Sequence, residues 1–170
     1  YNGGTDNASC GAWDAPCATI TYAIGRAGAL SRPRVLVSEG IYAENITLVN
    51  GISVKGGYSA ATWRHSPETN VTVIYGTTPS PGTVKHKRAV IAQNITSATE
   101  FSGFTIYGET NFYQAAGDTG GNSYAIWVKN SSSALEIKDN VIYGGQGSSG
   151  SNGTAGAQGA NGGDGTVGAD

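Results

Sequence analysis

Apolar positions along this chain follow two different periods. Ile20, Ala23, Ile24 and Ala27 recur at spacings of three and four, the single stripe of an amphipathic helix, with Thr19 or Thr21 near its start. Gly28 is placed to end that helix and Pro33 bars its continuation, so a helix is predicted over 19–27. Beyond Pro33 the pattern changes to short runs: Val35-Leu36-Val37, Ile46-Thr47-Leu48, Ile52-Ser53-Val54 and Val71-Thr72-Val73-Ile74. Each is bounded by Gly, Asn or Pro, as strands of about four to six residues are.

The strands repeat. Ile-Tyr-Gly occurs at 74–76, 106–108 and 142–144, and residues 89–108 align without a gap on 125–144, an offset of 36. Ala89/Ala125, Asn94/Asn130, Ser97/Ser133, Ala98/Ala134, Glu100/Glu136, Ile106/Ile142, Tyr107/Tyr143 and Gly108/Gly144 are identical. Residues 45–56 read as an earlier, shorter copy, with Asn45 in the place of Asn94 and Asn130. A polar insert follows each Ile-Tyr-Gly, at 77–88, 109–123 and 145–170. Three short strands per unit, with inserts at one corner, predict an all-β protein: a right-handed parallel β-helix over 1–144 with a short N-terminal capping helix. Asn at a bend suits a left-handed backbone and can hydrogen-bond up the stack. An antiparallel sandwich also has short strands and Gly-rich turns, but it leaves the ungapped duplication without a reason.

The motifs resemble those of a known group. Cys17-Ala18-Thr19-Ile20 with Ala23-Ile24, then Val35-Leu36-Val37, Gly40-Ile41-Tyr42 and Ile52-Ser53-Val54-Lys55-Gly56-Gly57-Tyr58, look like the opening of pectate-lyase-like β-helix proteins. In particular the chain resembles DUF1565-type bacterial secreted and surface proteins, whose Gly-Gly-Tyr followed by Trp and Arg is matched by Gly56-Gly57-Tyr58 and Trp63-Arg64. The resemblance covers roughly residues 3–144 and implies a fold rather than an activity, since such scaffolds host lyases, hydrolases, adhesins and inert proteins.

From 147 to 168 glycine falls at every third place: Gly147, Gly150, Gly153, Gly156, Gly159, Gly162, Gly165 and Gly168. That register suits a three-fold extended helix, in which only Gly fits the crowded side. The tail contains no Pro, which argues against collagen. A polyglycine-II-like strand, packed by its glycine edge on similar strands or on the β-helix, is one reading; a flexible linker is the other. Gly162-Gly163-Asp164-Gly165 matches only part of one calcium-binding repeat, so no metal is expected.

Composition narrows the functional classes. Charged residues make up 13%, net charge is −2, and the ten Lys and Arg are scattered, which excludes a basic patch for nucleic acid. No apolar run approaches the roughly 18 residues that insert in a membrane, and Tyr1 reads as a processed or trimmed start. Cys10 and Cys17 have the wrong spacing for a redox pair or a zinc site, leaving a small disulfide ring or two buried thiols. A disulfide implies an extracellular or cell-surface setting. Asn7, Asn45, Asn70, Asn94, Asn130 and Asn152 open N-x-[ST] triplets, candidates for glycosylation or plain turn chemistry.

No catalytic set stands out, so no enzyme and no cofactor is expected. Glu100 and Glu136 align as the single stacked carboxylate pair, with Lys129 and Lys138 near them; Arg32-Pro33-Arg34, His65 and His86 lie in predicted loops. Trp13, Trp63, Tyr113 and Trp127 offer flat platforms for sugars if they share a face. The last unit, 125–144, would leave open strand edges unless the chain continues or a neighbouring subunit covers it. The expectation is an extracellular structural or adhesive protein that self-assembles, as a head-to-tail oligomer or filament, through its open end and the Gly-x-y tail. The alternatives are part of a carbohydrate-active or carbohydrate-binding β-helix protein, or of a longer surface protein.

Overall fold

A computed structural model describes residues 3–78, 84–163 and 165. It has one helix, α1 (Ile20–Ala29), and eleven strands: β1 (Arg34–Ser38), β2 (Gly40–Ala43), β3 (Ile46–Thr47), β4 (Ser53–Tyr58), β5 (Thr72–Tyr75), β6 (Lys87–Gln93), β7 (Thr99–Ser102), β8 (Phe104–Tyr107), β9 (Ser123–Lys129), β10 (Leu135–Lys138) and β11 (Val141–Tyr143). They form three sheets, ordered β1-β4-β7-β10, β2-β5-β8-β11 and β3-β6-β9. All strand pairings are parallel. Every third strand thus returns to the same sheet one place further on, an all-β arrangement consistent with a parallel β-helix.

The duplication seen in the sequence is the register of all three sheets. Val90 pairs with Ile126, Thr99 with Leu135, and Ile106 with Ile142, each at the 36-residue offset. Inward residues stack in columns: Val35, Val54, Phe101 and Ile137 in one, Tyr42, Ile74, Ile106 and Ile142 in another. Ile74 and Ile106 are 0% exposed. The Ile-Tyr-Gly triplet now has a steric meaning. Ile points in, Tyr points out, and Gly permits the chain to bend closely past its neighbour: a Cβ on Gly76 would lie 2.7 Å from that of Ala89.

α1 buries Ile20, Ile24 and Ala27 and packs on β1 and β3, covering one end of the stack. Its start is held from three directions. Thr19 caps Tyr22 N, Asp6 accepts from Ala18 N and Thr19 N, and Glu44 accepts from Ile20 N and Thr21 N. The helix runs through Gly28, past the predicted end at 27. Ser31, at φ 52°, takes the left-handed position, with Ser31 N donating to Gly28 O and Arg32 N to Ala27 O. Those two bonds are a Schellman closure, so Ser31 fills the role expected of Gly28.

The bend asparagines also differ in part from expectation. Asn94 (φ 58°) and Asn130 (φ 50°) are left-handed. Ile46 pairs with Val90, however, which puts Asn45 level with Ala89 and leaves Asn50 level with Asn94. Asn50 makes the cross-stack bonds, accepting from Thr96 N and Ser97 N and donating to the hydroxyls of Thr96 and Ser97. Asn45 bonds to the next round as well, accepting from Thr77 N and donating to the Thr78 hydroxyl, but neither Asn45 nor Asn50 has the left-handed backbone, which Gly51 (φ 80°) takes beside Asn50.

Inward packing sets the scale of the core. Ile106→Ala, at a fully buried site between two rounds, is expected to cost about 2–5 kcal/mol in urea unfolding, and Ile142→Ala, half exposed on the last round, clearly less.

Candidate functional site

The last round of strands is less covered than the rounds before it. In β11 all three residues are exposed, Ile142 at 49% where its counterpart Ile106 is 0%. Val128 of β9 is exposed too, and Leu135 and Ile137 of β10 are only half-buried. Beside this end runs a ladder of three outward tyrosines. Tyr75 and Tyr107 stack at 4.6 Å and 9°, Tyr107 and Tyr143 at 4.7 Å and 8°. Desolvation and its two phenolic neighbours raise the Tyr107 hydroxyl above the ordinary tyrosine range. Among the described residues no ring covers the far face of Tyr143.

The start of the tail is fastened to the insert between β8 and β9. Asn111 N donates to Gln146 O, Ser148 N to Gly121 O, and Ser151 N to Asp118 O. Gly121 N returns a bond to the Ser148 hydroxyl. Asp118 anchors the insert in turn, accepting from Lys85 Nζ at 2.5 Å and the Tyr113 hydroxyl at 2.9 Å. The Lys85 bond, helped by Tyr113 and by Thr119 N, holds the Asp118 carboxyl down at about 2. Gly147 and Gly150 face the insert, where an added Cβ would meet Gly121 O at 3.1 Å and Gly120 N at 3.4 Å. At Gly153, Gly156, Gly159, Gly162 and Gly165 a Cβ would meet nothing within 4 Å; Gly168 lies outside the described residues.

A buried ion pair lies at the same corner. Lys87 is 0% exposed, its Nζ has no hydrogen-bond acceptor among the described residues, and Glu109 Oε1 stands 3.6 Å away. Thr78 Oγ1 donates to the other Glu109 oxygen and accepts from Asn45 Nδ2. From sequence, Lys87 falls in the polar insert 77–88. The pairing of Lys87 with Ser123 brings it into β6, and no local pattern carries that information.

The remaining candidates are dispersed. Glu100 and Glu136 are register partners, but Lys55 bonds Glu100 at 2.6 Å and Lys138 bonds Glu136 at 3.1 Å. The Lys55 bond chiefly, against some desolvation, keeps the Glu100 carboxyl below its usual range. This outer row is an ion-pair ladder with both acids partnered. His65 lies against Tyr58 and His86 Nδ1 accepts from Asn122 N, while Arg32-Pro33-Arg34 is an exposed link between α1 and β1. Cys10 and Cys17 are joined in a disulfide, and with Asp6 they form the one cluster of metal-ligand type among the described residues. Both sulfurs are bonded and Asp6 caps α1, so the cluster offers no ligand set.

Of the four aromatic platforms, the fold brings two together. Trp63 Nε1 donates to Trp13 O at 3.0 Å, across a cleft of about 150 Å³ that Asp14, Pro16, Ser38 and Ala60 also line. Trp127 lies instead beneath the Arg88 guanidinium, and Tyr113 bonds Asp118. Among the sequons, the Asn45 and Asn70 amides are engaged in holding turns and Asn7 accepts from Ser9 N, whereas Asn94, Asn130 and Asn152 are exposed.

Three parallel sheets, a short helix at one end and a disulfide loop make this an all-β protein with an architecture consistent with a parallel β-helix. The chain belongs to the family described as protein of unknown function (DUF1565), which it matches over residues 2–168. No curated protein and no solved structure matches it. No helix among the described residues is long and apolar enough to cross a membrane.

Two measurements probe this corner. Glu109→Gln leaves the Lys87 ammonium buried without a counter-charge, so denaturant unfolding should show a loss of about 3–5 kcal/mol, largely recovered in the Lys87→Met, Glu109→Gln double variant. The depressed Asp118 pKa means that its stabilisation is complete above the ordinary carboxylate range and disappears as pH falls toward about 2. Amide exchange at Ser148 and Ser151, relative to intrinsic rates, should therefore accelerate between pH 4 and pH 2 and stay level between pH 5 and pH 7.

Proposed function

We propose that the chain winds as a right-handed parallel β-helix and serves as an extracellular structural or adhesive subunit that assembles with copies of itself. Parallel strands joined by crossovers within one sheet are right-handed in about 98% of cases, which supports the handedness. The disulfide supports an oxidising compartment. No enzymatic step is assigned: the stacked carboxylates Glu100 and Glu136 are each bonded by a lysine.

The observation that carries the reading is the contrast between the two ends of the stack. α1 covers the first round, while Val141, Ile142 and Tyr143 on the last stand about half exposed beside unpaired strand edges. Uncovered sheet ends with apolar residues associate with other strands. In a head-to-tail contact the last round of one subunit meets the capped end of the next, and such heterologous contacts propagate as filaments.

The Trp13–Trp63 cleft favours a second reading, a carbohydrate-binding module. Trp13 is 75% exposed there beside Asp14 and Ser38, an aromatic surface with polar neighbours of the kind that sugars meet. Loss of glycan binding in Trp13→Ala would support it.

Light scattering across a concentration series, followed by electron microscopy, tests the preferred reading. The wild-type chain should form oligomers or filaments, and Ile142→Lys should shift it to monomer with its melting temperature little changed. A chain that stays monomeric at high micromolar concentration contradicts self-assembly.

A further inference from the structure

Three Asn-Gly pairs lie among the described residues, at 50–51, 152–153 and 161–162. Such a pair carries its own reactants. The glycine nitrogen can reach the carboxamide carbon of the asparagine before it, and glycine has no Cβ to restrict the backbone turn that the approach needs. Closing that five-membered ring requires two freedoms. The asparagine side chain must swing over its own backbone, and the glycine N–H must not be held by an acceptor elsewhere.

At 50–51 the fold removes both. Asn50 Oδ1 accepts from Thr96 N at 2.8 Å and Ser97 N at 2.7 Å, and Asn50 Nδ2 donates to the hydroxyls of the same two residues. Gly51 N donates to the Thr99 hydroxyl at 2.9 Å, and Thr99 is buried. This pair reacts only when its round opens locally.

At 152–153 and 161–162 both freedoms remain. All four residues are exposed, and neither the asparagine amides nor the glycine N–H groups have a hydrogen-bond partner among the described residues. The last tail residue bonded to the insert among the described residues is Ser151, one place before the first of these pairs.

We infer that Asn152 and Asn161 are sites of spontaneous modification, each converting through a succinimide to aspartate and isoaspartate, while the fold protects Asn50. In the first step the bond from glycine N to asparagine Cγ forms, the Cγ–Nδ2 bond breaks, and ammonia leaves carrying the glycine proton. Water then opens the ring at one carbonyl or the other, giving the two products. Residues 145–163 contain no charged side chain, so the conversions put the first carboxylates into that stretch. An isoaspartate also routes the backbone through Cβ, and at 152 the added carbon comes directly after Ser151. None of these steps depends on self-assembly.

The full chain is incubated in mildly alkaline buffer made with heavy-oxygen water, which labels every opened ring, and tryptic peptides are sequenced by fragmentation at intervals. Conversion at Asn152 and at Asn161 should run at least about tenfold faster than at Asn50 in the native chain, and in urea Asn50 should draw level with them. Gly153→Ala and Gly162→Ala, whose added Cβ meets nothing within 4 Å, should each slow the asparagine before it at least about tenfold with an unchanged melting temperature. Either tail site reacting no faster than Asn50 in the native chain overturns the assignment. So does wild-type conversion in the two alanine variants, because the glycine nitrogen would then not be limiting. Asn50 remaining slow in urea removes the protective role of the fold.

Discussion

Each round of this fold must match the one before it residue by residue, because parallel backbone bonding leaves no freedom of register once the inward columns are set. The Ile-Tyr-Gly corner shows how the sequence meets that constraint. An isoleucine fills the core column, a tyrosine stacks on the tyrosine one round away, and a glycine lets the chain leave the sheet tightly. Sequence variation is then pushed into the segment after the glycine, where all three inserts lie. The insert corner consequently became the place where polar groups, a buried ion pair and the tail meet.

Charge is handled by the same stacking. Lys55 on β4, Glu100 on β7 and Glu136 and Lys138 on β10 share the outer face of one sheet. The two acids are register partners, Lys55 bonds Glu100 across strands, and Lys138 reaches both Glu136 on its own strand and Glu100 on the next. Lys87 and Glu109 extend the rule inward, where the pair has little solvent to share. A weakly charged chain can hold such a stack because its few charges are assigned to neighbours in space.

How far the sequence reveals this depends on the range of the interaction. The ungapped copy of 89–108 in 125–144 is repetition, and repetition becomes register directly. The closure of α1 is less visible: Gly28 is the obvious stop, yet the helix continues two residues past the predicted end, to Ala29, and Ser31 adopts the left-handed turn. Likeness of sequence sets Asn45 beside Asn94, but the first copy differs in length, and only the pairing of Ile46 with Val90 shows that Asn50 is the residue level with Asn94. Asp6 and Glu44 as caps, and Lys87 as a buried cation, depend on partners distant in sequence, and no spacing rule reaches them.

The tyrosine ladder has a consequence of a different kind. Its rings sit at 4.6–4.7 Å, close to the strand separation of roughly 4.7–4.9 Å. The backbone therefore dictates the interval between chromophores. Any change in the spacing of paired strands would therefore change the spacing of the rings, and the near-ultraviolet dichroism of the phenols would register it, making the ladder an optical reporter of strand separation.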